Sequence, residues 1–140
     1  MLEENKAIAR LFLDELWNRV NFEAVDRLMA SDYDGHSSTV INGPGGARQF
    51  VPTMRAAFPD FQFEVLDQVA EGDRVATRWA AHGTHQGEFQ GVPPSGKRVK
   101  ITGITIFRLA DRKLIEGWTS EDVLGLLQQI GVLPMLEHGI

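Results

Sequence analysis

The first half of the chain places apolar residues at helical spacing. Ile8, Leu11, Phe12 and Leu16 follow this spacing, which predicts a helix over residues 3–20. Asn21, a residue type that caps helices, precedes a second apolar stretch and predicts a short helix after it. We interpret residues 32–36 as irregular backbone and residues 43–46 as a turn, and we predict a third helix over residues 47–57.

The second half alternates apolar and polar residues with a period of two, which indicates strands. The predicted strands are residues 61–65, 74–84, 99–109 and 113–120. Glu71-Gly72-Asp73 is a hairpin signal, residues 91–96 are a loop rich in Gly and Pro, and Asp111-Arg112 is a tight turn. A final short helix ends at Gly131.

Helices followed by strands and a last short helix are typical of the α+β class. We expect a cone-shaped, curved antiparallel sheet packed on three N-terminal helices. The 140 residues have the length of one ordinary domain, so we expect a single domain over residues 1–140. Such a cone has an apolar interior that opens at one end, which is a natural pocket for a small molecule.

Composition narrows the possible functions. The formal net charge of −5 argues against a nucleic-acid partner. The chain has no cysteine, which excludes disulfides, thiol nucleophiles and thiolate metal sites. Its first residues lack the apolar segment of a signal peptide, and no apolar run is long enough to span a membrane. We therefore expect a cytoplasmic protein with no membrane partner.

Short motifs follow one another in the second half of the chain. They comprise Arg78-Trp79, Gly83-Thr84-His85, Gly87, Phe89, Gly91, Pro93-Pro94, Gly96, Gly103, Phe107-Arg108, Lys113-Leu114-Ile115-Glu116, Trp118, Asp122, Leu126-Leu127, Gln129 and Gly131. In this order and spacing they resemble the SnoaL-like polyketide cyclase and ester cyclase family of the nuclear transport factor 2-like superfamily. His36 also resembles that family, whereas Arg112 departs from it because a Gly is usual in this turn.

The resemblance implies a cystatin-like α+β roll that is usually oligomeric and uses no metal or organic cofactor. It also implies acid/base chemistry on a polyketide-like or other small carbonyl compound. Cyclases of the family close a ring by an intramolecular aldol step, with an acidic residue and hydrogen-bond donors inside the cone.

Strand alternation gives the candidate acids. Glu116, Trp118 and Asp122 share one face of the last strand. Because a large Trp rarely stands exposed, we place this face inside the cone, where desolvation would raise the pKa of a carboxylate and suit it to acid/base work. The alternatives are that Asp122 only caps the final helix and that Glu116 only pairs with Arg78 or Arg108.

Arg78 and His36 are the candidate partners of these acids. Arg78 would polarise a substrate oxygen if it faces inward, and it would be an external ion-pair partner if it faces outward. His36 would move a proton or stabilise an enolate oxygen, or it would be a plain packed or exposed histidine. His82 and His85 do not converge on a strand, so we predict no metal site.

Aromatic, thioether and imidazole side chains are the candidate substrate-binding surface, although most large apolar residues in any domain are simply core. The predicted substrate-binding residues are Trp17, Tyr33, Phe50, Met54, Phe58, His82, Phe107 and Trp118.

Three functions remain open from the sequence. The first is a cofactor-independent cyclase with Asp122 as the base. The second is another reaction on the same cone, such as epoxide hydrolysis or isomerisation, although Ser120 and Ala80 stand where an epoxide hydrolase would need acids. The third is a protein that holds a small ligand without catalysis. We also expect a homodimer or a higher homo-oligomer, with Trp79 on the outer face of the sheet.

Overall fold

The computed structural model describes residues 1–37 and 42–134 and confirms the α+β fold with one curved, five-stranded sheet. The helices are α1 (Leu2–Leu13), α2 (Phe22–Leu28), α3 (Gly43–Ala57) and α4 (Val123–Gln129). The strands are β1 (Met29–His36), β2 (Gln62–Glu71), β3 (Arg74–Thr84), β4 (Arg98–Ala110) and β5 (Lys113–Glu121). No helix in this described part of the chain is long and apolar enough to cross a membrane.

The sheet has the order β1-β5-β4-β3-β2. Strands β2 to β5 form the expected antiparallel meander. The expectation of irregular backbone at residues 32–36 is wrong, because β1 pairs in parallel with β5 and places His36 opposite Trp118. The polar sequence of β1 conceals this strand, which lies at an edge of the sheet and needs only one apolar side.

Helix α3 is longer than the sequence suggested. It begins at Gly43, so residues 43–46 form its first turn and not a separate loop. Pro44 fits there because the first amide groups of a helix have no acceptor within the helix. Pro52 consequently lies in the interior of the helix and not in its first turns.

Two β-bulges decide which residues face the helices. Val65 pairs with Trp79 and Asp67 with Arg78, so Leu66 is an extra residue in β2. On β5, Ile115 is the extra residue between the partners of Leu109 and Arg108. A bulge reverses the alternation of side chains that follow it. As a result, the inner face of β5 beyond Ile115 is formed by Gly117, Thr119 and Glu121.

The helices pack on this inner face and build the core around it. A π-helical segment, Asp14–Asn18, continues α1 and brings it to the edge of β2. There the Asn18 amide donates to the Phe63 carbonyl (2.9 Å) and accepts from the Phe63 amide (2.8 Å). The buried core on this side comprises Ala9, Phe12, Leu13, Leu16, Val25, Met29, Tyr33, Ala47, Val51, Val75, Phe107, Leu109 and Leu114.

The connection between β3 and β4 is held by a buried histidine. The Nδ1 of His85 accepts from the Ser95 amide at 3.1 Å, while its backbone bonds to Lys97 and Gly96. His85 is fully buried and does not line the main cavity. His85 therefore anchors the Gly- and Pro-rich loop.

Candidate functional site

A cavity of about 110 Å³ lies between the inner face of the sheet and helices α1 and α3. Five predicted substrate-binding residues line it, namely Trp17, Tyr33, Phe50, Met54 and Phe107. The sequence did not identify the apolar lining from Phe12, Leu13, Leu16, Met29, Phe61, Phe63, Trp79, Ala81 and Ile101. An engineered apolar cavity of roughly 150 Å³ holds benzene. A ligand larger than a single ring must therefore extend through the open end.

Trp17 forms one aromatic wall of the cavity. Its ring stacks on Phe63 with a centroid distance of 6.1 Å and an interplanar angle of 8°, and it meets Phe50 edge-on at 5.7 Å. The π-helical segment orients Trp17, because the residue that follows it, Asn18, is hydrogen-bonded to Phe63 of β2. Such segments occur frequently at functional sites. This wall suits a flat, unsaturated ligand.

Glu121 supplies the only carboxylate among the lining residues of the described chain. It ends β5 on the same face as Gly117 and Thr119 and is half-buried. From the sequence, the neighbouring residue Asp122 was the expected acid at this place. A carboxylate on an otherwise apolar wall can take up and return a proton.

A hydrogen-bonded chain of side chains crosses the cavity wall. The indole N–H of Trp79 donates to Thr105 Oγ1 at 3.1 Å, and Thr105 Oγ1 lies 2.9 Å from Thr119 Oγ1. All three residues line the cavity. Gly103, opposite Trp79 in the β3–β4 pairing, provides the space for the indole ring, because a side chain there would collide with it.

Tyr33 brings a phenolic hydroxyl to the cavity from β1. Burial raises the pKa of the Tyr33 hydroxyl well above its ordinary value, and the nearby charges of Asp34 and Glu116 raise it further. The phenol therefore stays protonated and is a hydrogen-bond donor at neutral pH. Gly117 permits this position, because a Cβ there would collide with the Tyr33 oxygen.

His36 stands at the rim, and it is the one exposed residue of the lining. Its ring stacks on Trp118 at 5.6 Å, and its Nε2 lies 2.9 Å from Glu116 Oε2 and 3.3 Å from Asp34 Oδ2. The hydrogen bond to His36 lowers the pKa of the Glu116 carboxyl, and the bond to Arg108 lowers it further, against the opposing effect of burial. Glu116 is therefore ionised and orients the imidazole.

The same rim contains a group of side chains that could ligate a metal ion, found among the described residues. Donor atoms of Asp34, His36 and Glu116 all lie within 4.8 Å of one another. The guanidinium of Arg108, 3.1 Å from Glu116 Oε1, already supplies a positive charge at this point. This guanidinium balances the charge of Glu116.

The structure overturns the placement of two predicted acids. Asp122 does not line the cavity; its Oδ1 accepts from the Gly125 amide at 2.9 Å and caps α4, as the alternative interpretation held. Glu116 lies on the outer side of the sheet and pairs with Arg108, which was also the alternative. The bulge at Ile115 is the physical reason, because it reverses the faces of the residues that follow it.

Arg78 faces away from the cavity and pairs with Asp67 at 3.0 Å on the outer face. The outward alternative is therefore the correct one, and the catalytic role that required an inward position is wrong. The pairing partner also raises the pKa of Arg78. Val75, Trp79 and Ala81 form the apolar phase of β3 and are buried instead.

Three predicted substrate-binding residues lie elsewhere. Phe58 and His82 border a separate and much smaller hollow near α4. Trp118 is on the outer side, between the ring of His36 and the guanidinium of Arg74, which lies 5.2 Å from the indole centroid. Trp118 is thus shielded by polar neighbours and not by the core.

Sequence reasoning missed Thr119, Glu121 and the supporting glycines. One available signal was the glycines at positions 103 and 117, because a strand glycine often marks close approach of another group. Placing Gly117 inward puts Thr119 and Glu121 inward as well.

Comparisons with known proteins agree with this architecture. Residues 7–130 match the family model described as SnoaL-like polyketide cyclase. Aklanonic acid methyl ester cyclase DnrD of Streptomyces peucetius is 27% identical over 92 residues, which are 65% of this chain and 63% of DnrD. AclR of Streptomyces galilaeus, named as a hydroxylase, superposes with a TM-score of 0.86 at 32% identity over 99% of this chain and 87% of AclR. IdmH of Streptomyces antibioticus, named as a polyketide cyclase, gives a TM-score of 0.77 at 33% identity over 91% of this chain and 99% of IdmH.

Proposed function

Because the chain belongs to the SnoaL-like polyketide cyclase family, we propose that it closes a ring in a polyketide-like or other small carbonyl compound by an intramolecular aldol step. The observation that carries this proposal is the position of Glu121, the only carboxylate on the described wall of an otherwise largely apolar cavity. The relative DnrD is named as a cyclase, which supports the same class of reaction.

Glu121 is the proposed base. Its carboxylate removes a proton from the carbon next to a carbonyl, and the resulting enolate carbon attacks a second carbonyl of the same molecule. A new C–C bond forms, and the alkoxide takes the proton back from the Glu121 carboxylic acid. Protons and electrons balance within this cycle, so the reaction requires no oxidant, reductant or organic cofactor.

Tyr33 is the proposed donor to the oxygen on which the enolate charge develops. Its raised pKa keeps the phenol protonated, and a pre-set donor in a water-poor site stabilises such a charge effectively. The ring of His36 lies against Trp118 and Glu116 on the outer side of the sheet, so the scheme gives it no contact with the reacting atoms. Neither Asp122 nor Arg78 takes part in this scheme.

Substitution of Glu121 by Gln tests the base. An aryl β-keto ester with a second carbonyl is incubated in D2O, and exchange of its α-protons is followed by NMR. We expect the exchange rate to fall by about 100-fold or more in the Glu121→Gln variant, which is the usual contribution of a general base. In a parallel reaction in H2O, mass spectrometry and NMR of the product should show a new ring with no change in mass.

Asp122→Asn is the matched control, because Asn caps helices as well as Asp does. This variant should keep both its stability and its exchange rate. If Glu121→Gln also exchanges at the wild-type rate, the proposed base is wrong and the cavity is better explained as a binding site. A product heavier by one oxygen atom would favour the hydroxylase activity for which AclR is named.

A further inference from the structure

The chain of Trp79, Thr105 and Thr119 holds one more hydrogen-bond donor than it uses. It contains three donors, the indole N–H and two hydroxyl groups, and two contacts join them, at 3.1 Å and 2.9 Å. One hydroxyl hydrogen is therefore left without an acceptor inside the chain. Within residues 1–37 and 42–134, Trp79 is the other partner of these two hydroxyl groups. It donates in its contact with Thr105 and so does not accept this hydrogen.

Either threonine could donate in the contact between them. We infer that Thr105 donates, because its oxygen already accepts from Trp79, and the hydrogen left over is then that of Thr119. Thr105 is only 5% exposed, whereas Thr119 is half-buried and lines the cavity beside Glu121. The Thr119 hydrogen can thus point into the cavity, and the bonds behind it strengthen it as a donor.

We propose that Thr119 binds the carbonyl oxygen of the ligand, with Thr105 and Trp79 as its positioning residues. Burying a polar group without a partner costs free energy, so a spare donor on a largely apolar wall favours a ligand that presents an acceptor to it. Ketones and esters fit this description, whereas hydrocarbons and cations do not.

This inference deepens the proposed function, because it assigns the substrate oxygen to a position next to the proposed base. Thr119 and Glu121 are two residues apart on one strand face, or about 6.6 Å. A carbonyl oxygen on Thr119 would therefore place the adjacent carbon toward Glu121. The test below measures ligand binding and not turnover, so it can fail while the assignment of the base stands, and the reverse also holds.

The probes are acetophenone and α-methylstyrene, a pair of similar shape in which the hydrocarbon lacks the oxygen. Calorimetry measures the affinity of the wild-type protein and of Thr119→Val for both probes. Infrared spectroscopy of 13C-carbonyl acetophenone reports whether the bound carbonyl accepts a hydrogen bond. Thr119→Ser keeps the hydroxyl, and Thr102→Val makes the same Thr-to-Val change at an exposed position of β4.

We expect Thr119→Val to weaken acetophenone binding by about tenfold and to leave α-methylstyrene binding unchanged, as for the loss of one neutral hydrogen bond. The carbonyl band of the bound ketone should move to higher frequency in Thr119→Val and stay in place in Thr119→Ser and Thr102→Val. If Thr119→Val does not fold, Thr119→Ala takes its place.

Three results would overturn the proposal. The first is an equal loss of affinity for both probes, which would show a packing effect. The second is a carbonyl band that does not respond to removal of the hydroxyl. The third is a wild-type protein that does not bind acetophenone, because a spare donor on an open, largely apolar wall should bind this ketone.

Discussion

The contact between Gly117 and Tyr33 shows how a single missing side chain shapes the cavity. A Cβ at position 117 would collide with the Tyr33 oxygen and approach the ring of Phe107 at 3.3 Å. Tyr33 is buried and cannot move outward without leaving the core. The glycine therefore fixes where the phenol hydroxyl lies.

We expect Gly117→Ala to destabilise the protein by about 1–3 kcal/mol, as overpacked core positions do. Removing the hydroxyl in the double variant Gly117→Ala/Tyr33→Phe should recover part of this loss, and urea denaturation measures both. Gly45→Ala in α3 is the control, since a Cβ there meets no atom within 4 Å. Additive effects of the two changes would contradict the contact.

At this scale the sequence predicted the apolar lining better than the polar groups. Trp17, Phe50 and Met54 were identified because large apolar residues on helices that pack on a sheet must point toward it. Glu121 and Thr119 were missed because their orientation depends on the exact phase of one strand.

At the level of the strands, the sequence pattern does not reveal the β-bulges. Simple alternation from Leu114 puts Glu116, Trp118 and Asp122 inside, and this would hold for a regular strand. Nothing in the residue type of the extra residue, Ile115, marks it as the site of a bulge. Strands β3, β4 and β5 were predicted nearly to their ends, whereas residues 66–71 of β2 were not predicted as strand. The phase of β5 and the edge strand β1 depend on pairing with distant residues.

The turn between β4 and β5 carries a backbone conformation that its residues disfavour. Asp111 and Arg112 have φ values of 50° and 64°, a region that costs a non-glycine residue roughly 1 kcal/mol. The resemblance to the family had already indicated that a Gly is usual at position 112.

We expect Arg112→Gly to raise the melting temperature by about 3 °C, because it relieves this strain. Arg112 also pairs with Glu4 at 3.1 Å, but an exposed pair of this kind contributes little. Arg112→Ala separates the two effects, since it removes the pair and keeps the strain. If calorimetry gave Arg112→Gly a lower melting temperature than Arg112→Ala, this explanation would be refuted.

The outer face of the sheet bears on the oligomeric state of the molecule. An apolar row of Val69, Ala76, Ile106 and Trp118 runs across four strands, and Val69 is 71% exposed. The ion pairs Arg78–Asp67 and Arg108–Glu116 lie beside the row and carry both signs of charge. Such a face does not repel a copy of itself.

The homodimer stays a prediction, and its interface cannot involve Trp79, which is buried on the inner face. Four strands about 4.8 Å apart with about nine residues of about 3.3 Å each give a flat area of roughly 570 Å². Side chains add to this area, which approaches the roughly 800 Å² per partner of a standard interface. A second copy of this chain is the partner that we predict.

We expect light scattering to give twice the chain mass for the wild-type protein, and Ile106→Glu to weaken the dimer by tenfold or more, because a buried charge would enter the interface. Leu11→Glu on α1 is the control, since Leu11 is 48% exposed and far from the sheet's outer face. A monomeric wild-type protein, or an unchanged mass for Ile106→Glu, would contradict the prediction.

The parallel pairing of β1 with β5 also determines when the cavity can exist. His36 precedes its partner Glu116 by 80 positions, and contacts at such separation form late because a long chain segment must first be closed. During synthesis, α1 to α3 and β1 to β4 are made before the strand that bears Thr119 and Glu121, and of the named elements α4 alone is made after it. The wall that bears Thr119 and Glu121 is thus completed late, and the nascent chain has its apolar interior before it has the polar groups of the site.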